Sequence, residues 1–165
     1  MPLFPAFLDL SDDAVLVVGE GREADRKTEK MAPFCRTVLR SPYPPAVDER
    51  PALVILAEKD HPDNEALAAR FREAHIPVNV ADRPELCDFR FPSLITKGEV
   101  SIGIATNGKA PALSALLREH IESALPNNLE AILDATADLT AELRQTEPDP
   151  TKRARILREE LQKLL

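Results

Sequence analysis

The sequence is short of basic charge, cysteine and long apolar runs, and each shortage closes off a class of function. Its 165 residues carry 21 Lys and Arg against 28 Asp and Glu, a formal net charge of -7. So acidic a chain offers no surface to displace phosphate counterions, which argues against nonspecific nucleic-acid binding. An anionic ligand needs a local basic pocket. The two cysteines, Cys35 and Cys87, stand neither in a CxxC pair nor beside a histidine cluster, so neither a metal site nor a disulfide framework is suggested. The longest apolar run, residues 14–18, is far short of the roughly 20 residues a membrane span needs. No basic segment followed by a long apolar stretch opens the chain, and a cytoplasmic protein with no membrane partner is the expectation.

What is present is enough apolar content, 44%, to fill the core of one ordinary domain with an appendage. Short runs rich in Val and Ile recur at 14–18, 37–39, 53–57, 76–80, 94–96 and 100–105, with helical patterns at 22–32 and 64–74. Strands alternating with helices read as a mostly parallel sheet flanked by helices, an α/β fold. Thr96, Lys97, Gly98 and Glu99 read as a hairpin turn that makes one sheet edge antiparallel.

From Ala110 onward only helical patterns follow. Pro111 suits a first helical turn, and Leu113, Leu116, Leu117, Ile121 and Leu125 form an apolar stripe. A second helix carries Leu129, Ile132, Leu133, Thr136, Leu139 and Leu143, and a third carries Ile156, Leu157, Leu161, Leu164 and Leu165. Stripes so narrow are expected to be buried in a homodimer interface, the alternative being that the helices fold back on their own sheet. His120, beside Ile121 on the first stripe, is expected to be packed.

Three segments carry candidate chemistry. Gly19, Gly21 and Ala24 follow a strand and open a helix, the context of a Rossmann dinucleotide-binding turn. There the first glycine permits the tight turn, the second lets backbone approach a pyrophosphate, and the small third residue lets helix pack on strand. Free N–H groups of the helix start then face the phosphates. The alternative is a ligand-free glycine turn, and Glu20 is awkward for an anion unless it points to solvent. About 20 residues on, where an acid normally meets the ribose, stand Arg40 and Ser41; Arg40 would favour a 2′-phosphate or stack on adenine.

The second segment runs from Val78 to Ser93 and begins at a strand's carboxyl end, where open α/β sheets bind ligands. Asp82 there is either a general base or substrate-orienting group, or a turn-former before Arg83 and Pro84. The third segment, Thr106, Asn107, Gly108, Lys109 and Ala110 before Pro111, is a second anion-site candidate or an ordinary N-cap.

Together these segments resemble the precorrin-2 dehydrogenase family, which includes the N-terminal half of siroheme synthase. The likeness begins at Pro2, Leu3, Phe4, Pro5, Ala6, Phe7, Leu8, Asp9 and Leu10. It continues through a VLVVGxGxxAxRK pattern over residues 15–27, then Asn79, Val80, Ala81 and Asp82 with Phe91, Pro92 and Ser93. It ends in Gly108, Lys109, Ala110, Pro111, Ala112 and Leu113, with Leu116, Leu117, Arg118 and Glu119.

The resemblance implies an oxidoreductase that uses NAD to oxidise precorrin-2 to sirohydrochlorin in siroheme (porphyrin-type) biosynthesis, with ferrous insertion as a further activity of some relatives. It implies a homodimer and a functional aspartate at Asp82. It places cofactor contacts on Arg22 and Glu23 and near Ser41 and Pro42, which join Gly19, Glu20, Gly21 and Arg40 in the candidate cofactor set. Arg83, Arg90, Lys97, Lys109 and Arg118 are candidate anchors for substrate carboxylates, and Thr106, Asn107 and Gly108 join the substrate set.

The chain departs from the family pattern at Glu20, at Asn107, a residue that tolerates a left-handed conformation, and at Ala110. Residues 40–51 form a Pro-rich link where the family has a helix and a strand. The sheet reads as one strand short, with residues 1–110 as the NAD-binding domain, 111–147 as a helical dimerisation region and 148–165 as a C-terminal helix. A dehydrogenase of another small anion and a catalytically reduced NAD-binding sensor or scaffold are the competing readings.

Overall fold

Along the central strand, alternate side chains are buried on opposite faces, and this divides the core of the first unit in two. In the computed structural model, which describes residues 3–164, β1 (Leu10–Val18) is flanked by β2 (Cys35–Ser41) and β3 (Leu53–Leu56), and β3 by β4 (Val78–Val80). All three pairings are parallel, in the order β2-β1-β3-β4. Val15, Val17, Leu53 and Ile55 pack under α1 (Gly21–Met31) with Ala24 and Met31. Leu16, Val18, Val54 and Leu56 pack on the other face under Leu67 and Ala68 of α2 (Asn64–Glu73). Each Val, Leu, Ile or Met among them contributes about 1.5–3 kcal/mol by leaving water.

The chain reaches β2 from β1 through α1 but returns from β2 to β3 through residues 42–52, which hold neither helix nor strand. This link, with Tyr43 packed against the core, occupies the face where a crossover helix would lie. A groove of about 440 Å³ remains between it and α2, lined by Pro45, Val47, Arg50, Phe71 and Ile76 among others. Arg50 donates to the carbonyl of Ala74 at 2.7 Å, which closes the end of α2.

The outer edge of β4 is covered by chain rather than left open. The Asp88 N–H donates to the Val78 carbonyl at 2.8 Å, and the Val78 N–H donates back to the Asp88 carboxylate at 3.0 Å. The Val80 N–H donates to Cys87 Sγ at 3.2 Å. Both cysteines are only partly buried, and burial pushes the Cys87 thiol pKa up.

Compactness divides the described chain into residues 4–91 and a second unit made of Leu3 with residues 92–164. In the second, β5 (Ser93–Lys97) and β6 (Val100–Ile104) form an antiparallel hairpin. This hairpin was expected as an edge of the main sheet; it is a two-stranded sheet of its own. Its turn is where the spacing put it: Gly98 has φ +55, and a Cβ there would come within 2.7 Å of Glu130. Three helices follow, α3 (Pro111–Ala124), α4 (Leu129–Thr146) and α5 (Pro150–Leu164). Ile132 and Leu143 are buried, whereas Leu113, Leu116 and Leu117 are exposed. His120 is exposed, not packed as its neighbour Ile121 suggested. Met1, Pro2 and Leu165 lie outside the described residues, and with them parts of the opening segment and of the last apolar stripe.

Candidate functional site

The reversal of crossover direction at β1 makes the carboxyl ends of β1 and β3 the place where an open α/β sheet binds ligands. The glycine turn sits there. Gly19 adopts φ +114 and Gly21 φ +74, conformations that favour glycine strongly. The Gly19 N–H is held by the Ser41 carbonyl at 2.9 Å. A Cβ on Gly19 would lie 3.0 Å from Glu58 and 3.3 Å from Tyr43, whereas one on Gly21 would meet nothing within 4 Å. Gly21 therefore leaves open backbone at a helix start, which fits the close approach of a dinucleotide's pyrophosphate. Gly19, Gly21 and the first turn of α1 would hold that group.

Glu20 is exposed to solvent. Its backbone N–H, however, is already bonded: it donates to Glu58 Oε1 at 3.0 Å. Glu58 follows the buried end of β3 and was not singled out in the sequence. Around it stand Tyr43, His61 and Asn64. Tyr43 and His61 are stacked, and buried Asn64 donates to the carbonyls of Glu58 and Lys59 at 2.7 and 3.0 Å. The signal that could have found Glu58 is its place directly after a fully apolar strand.

Arg40 reaches back over the turn. Its guanidinium donates to Asp25 at 2.9 Å, to Thr28 Oγ1 at 3.1 Å and to the Gly19 carbonyl at 3.2 Å. It thus ties β2 to α1, with Asp25 neutralising its charge. Ser41 is buried, and its Oγ accepts the Ala46 N–H at 3.1 Å, so its hydroxyl shapes the start of the link; Pro42 is exposed. Arg22 is exposed, while Glu23 pairs with Arg26 at 2.6 Å and with Lys27 at 3.8 Å. The hydrogen bond from Arg26 holds the Glu23 carboxyl below its usual range. Lys27 is buried against the Phe91 ring, 4.1 Å from its centroid, and that burial lowers its pKa.

Asp82 follows β4, exposed, in the left-handed region at φ +53. Asp82 stands just past the carboxyl end of β4 and the glycine helix just past that of β1, so in this parallel sheet the two share one end. Arg83 is bound by Glu85 at 2.5 Å and Glu65 at 3.0 Å, two carboxylates that a substrate carboxylate would have to displace. Arg90 lies 3.5 Å from the Pro84 carbonyl.

The remaining candidates belong to the second unit. Asn107 and Gly108 adopt φ +56 and +76, and Thr106 Oγ1 donates to the Ala110 carbonyl at 3.1 Å. Asn107 thus adopts the left-handed conformation expected of it. The Lys109 side chain is exposed, and its N–H donates to the Thr106 carbonyl at 3.1 Å. Among the described residues no group of three or more His, Cys, Asp or Glu is placed to hold a metal.

A parallel sheet with this turn at its switch point defines a Rossmann-type nucleotide-binding domain. Residues 39–93 match a family model described as "Putative NAD(P)-binding", and residues 97–124 one described as "Sirohaem biosynthesis protein central". Over most of its length the chain is similar in sequence to siroheme synthases. It is similar to the siroheme synthase of Psychrobacter sp. (strain PRwf-1), 33% identical over 93% of this chain and 36% of that protein. It is likewise similar to that of Methylococcus capsulatus, 34% identical over 93% and 37%. The chain spans about a third of the length of these curated relatives. Its fold is shared with a solved structure named SirC, precorrin-2 dehydrogenase, with TM-score 0.68 and 18% identity, covering 95% of this chain and 88% of that one. Among the described residues no helix is long and apolar enough to cross a membrane.

Proposed function

We propose that the protein oxidises precorrin-2 to sirohydrochlorin with NAD+, releasing NADH and a proton. The observation that carries this reading is the open Gly21 backbone at the start of α1, at the carboxyl ends of β1 and β3. Bound NAD+ supplies a two-electron acceptor. Gly19 and Gly21 form its cradle, and Glu20, Arg22 and Glu23 surround the helix start. Arg40 is neutralised by Asp25, which supports a ribose without a 2′-phosphate beside Ser41 and Pro42.

Asp82 orients the substrate or takes up the proton released as the ring bridge is oxidised. The substrate is rich in carboxylates, and Arg83 and Arg90 are the proposed anchors in the first unit; Thr106, Asn107, Gly108 and Lys109 are proposed as an anion-binding turn of the second unit in its own right. The assignment of residues 1–110 to cofactor binding, 111–147 to dimerisation and 148–165 to a C-terminal helix belongs to the same reading. So does a cytoplasmic homodimer, supported by the exposed Leu113, Leu116 and Leu117 of α3.

The test is NADH formation at 340 nm from precorrin-2 with NAD+ and, in parallel, NADP+; ferrous insertion into sirohydrochlorin is measured as a separate arm. No turnover by a protein that binds NAD+ would overturn the precorrin-2 reading and leave a sensor or a dehydrogenase of another small anion.

A further inference from the structure

The glycine turn is held by an anion of the protein's own. Glu58 is placed there by strand register. Val18 pairs with Leu56, and the Ala57 N–H donates to the Val18 carbonyl at 2.9 Å, so the next residue along β3 stands beside the next along β1. Its Oε1 takes the Glu20 N–H at 3.0 Å and lies 3.1 Å from where a Gly19 Cβ would be. The segment is anchored from behind by Asn64, whose amide holds the carbonyls of Glu58 and Lys59 and whose Oδ1 accepts the Tyr43 hydroxyl at 2.8 Å. A carboxylate bonded to a backbone N–H at a helix start is in the electrostatic position that suits a phosphate.

Resting on the dinucleotide reading above, we propose that the Glu58 carboxylate is a built-in competitor for the cofactor's pyrophosphate, and that binding requires it to leave the Glu20 amide. Two anions cannot share one amide at hydrogen-bond distance, and they repel each other in the partly buried turn. The open Gly21 side admits the ligand; the Glu58 side resists it. Rotation about the Glu58 side chain is enough to clear the amide, because the backbone hydrogen bonds of Asn64 do not involve the carboxylate. The device lowers affinity for phosphate-bearing ligands without touching the adenosine contacts.

Calorimetry on the wild-type chain, Glu58→Gln and Glu58→Ala with NAD+ and with adenosine tests this. Glu58→Gln keeps an acceptor oxygen and removes the charge; Glu58→Ala removes both. The expected result is NAD+ bound about tenfold tighter by Glu58→Ala, the equivalent of one hydrogen bond to a charged group, and several-fold tighter by Glu58→Gln, with adenosine unchanged. NAD+ affinity unchanged or weaker in both variants overturns the proposal and leaves the dinucleotide reading standing. An equal gain for adenosine also overturns it, because the effect then does not act through phosphate. No NAD+ binding by any of the three proteins overturns the dinucleotide reading and the proposal with it.

Discussion

Tyr43 stacks on His61 with ring centroids 3.7 Å apart and planes 14° from parallel, and its hydroxyl donates to Asn64 at 2.8 Å. Burial pushes the Tyr43 phenol up to about 12. Because the chain has one tyrosine and no tryptophan, absorbance at 295 nm follows this group alone. The folded protein is expected to ionise near pH 12, whereas the unfolded chain ionises near the ordinary value of about 10. Between those values the folded state retains the proton and the unfolded state does not. Stability therefore falls as pH rises through this window. A midpoint near 10 in the folded protein would show that the ring is not enclosed between Gly19, His61 and Asn64.

The two glycines of the turn are expected to fail differently. Gly19→Ala combines φ +114 with contacts at 3.0 Å to Glu58 and 3.3 Å to Tyr43, and should cost about 1–3 kcal/mol of stability. Gly21→Ala has open space but φ +74, so it should cost about 1 kcal/mol. Its new methyl group lies on the side left open for the pyrophosphate, and NAD+ affinity should fall at least about tenfold. Denaturant unfolding and NAD+ calorimetry on both variants separate the two effects. If Gly21→Ala binds NAD+ as well as the wild type, that backbone does not approach the ligand.

The parallel strands and the glycine turn were legible because continuous apolar runs and a strand–glycine–helix order leave few alternatives. β1 begins at Leu10, earlier than its apolar run, because Ser11, Asp12 and Asp13 are exposed while only Leu10 turns inward. The hairpin turn at Gly98 was legible from local chemistry, but local chemistry says nothing about which sheet a hairpin joins. Glu58, Tyr43, His61 and Asn64 escaped notice for a related reason. Glu58 is 38 residues from Glu20, and only the parallel register of β1 and β3 brings them together. The partners of Arg40 within the protein, Asp25 and Thr28, were not legible either, since nothing in the sequence shows them lying across from it.

The exposed face of α3 leads to a prediction about assembly. Leu116 is 63% exposed, whereas Ile132 of α4 is 5% exposed. Ile132→Ala should therefore cost about 2–5 kcal/mol of folding stability. Leu116→Glu should leave the single chain's fold intact and shift a homodimer toward monomer, read by sedimentation equilibrium as a weaker self-association. If Leu116→Glu sediments as the wild type does, α3 is not the dimer contact.

Asp82 combines a backbone that suits glycine with a carboxylate that glycine cannot supply, and the two roles can be separated. A non-glycine residue at φ +53 carries strain of about 1–2 kcal/mol, although aspartate is among the residues that tolerate it best. Asp82→Gly relieves that strain but adds freedom to the unfolded chain worth about 0.4–1 kcal/mol, so the variant should be about as stable as the wild type or more stable by up to about 1.5 kcal/mol. Asp82→Asn keeps the shape and removes the charge. If the carboxylate orients the substrate or takes its proton, both variants should bind NAD+ normally and convert precorrin-2 about 100-fold more slowly, the scale of a lost general acid or base. If Asp82 is only a turn-former, Asp82→Gly retains full turnover. Loss in Asp82→Gly with full activity in Asp82→Asn would assign Asp82 the role of a shape-matched hydrogen-bonding group, leaving the proton to water.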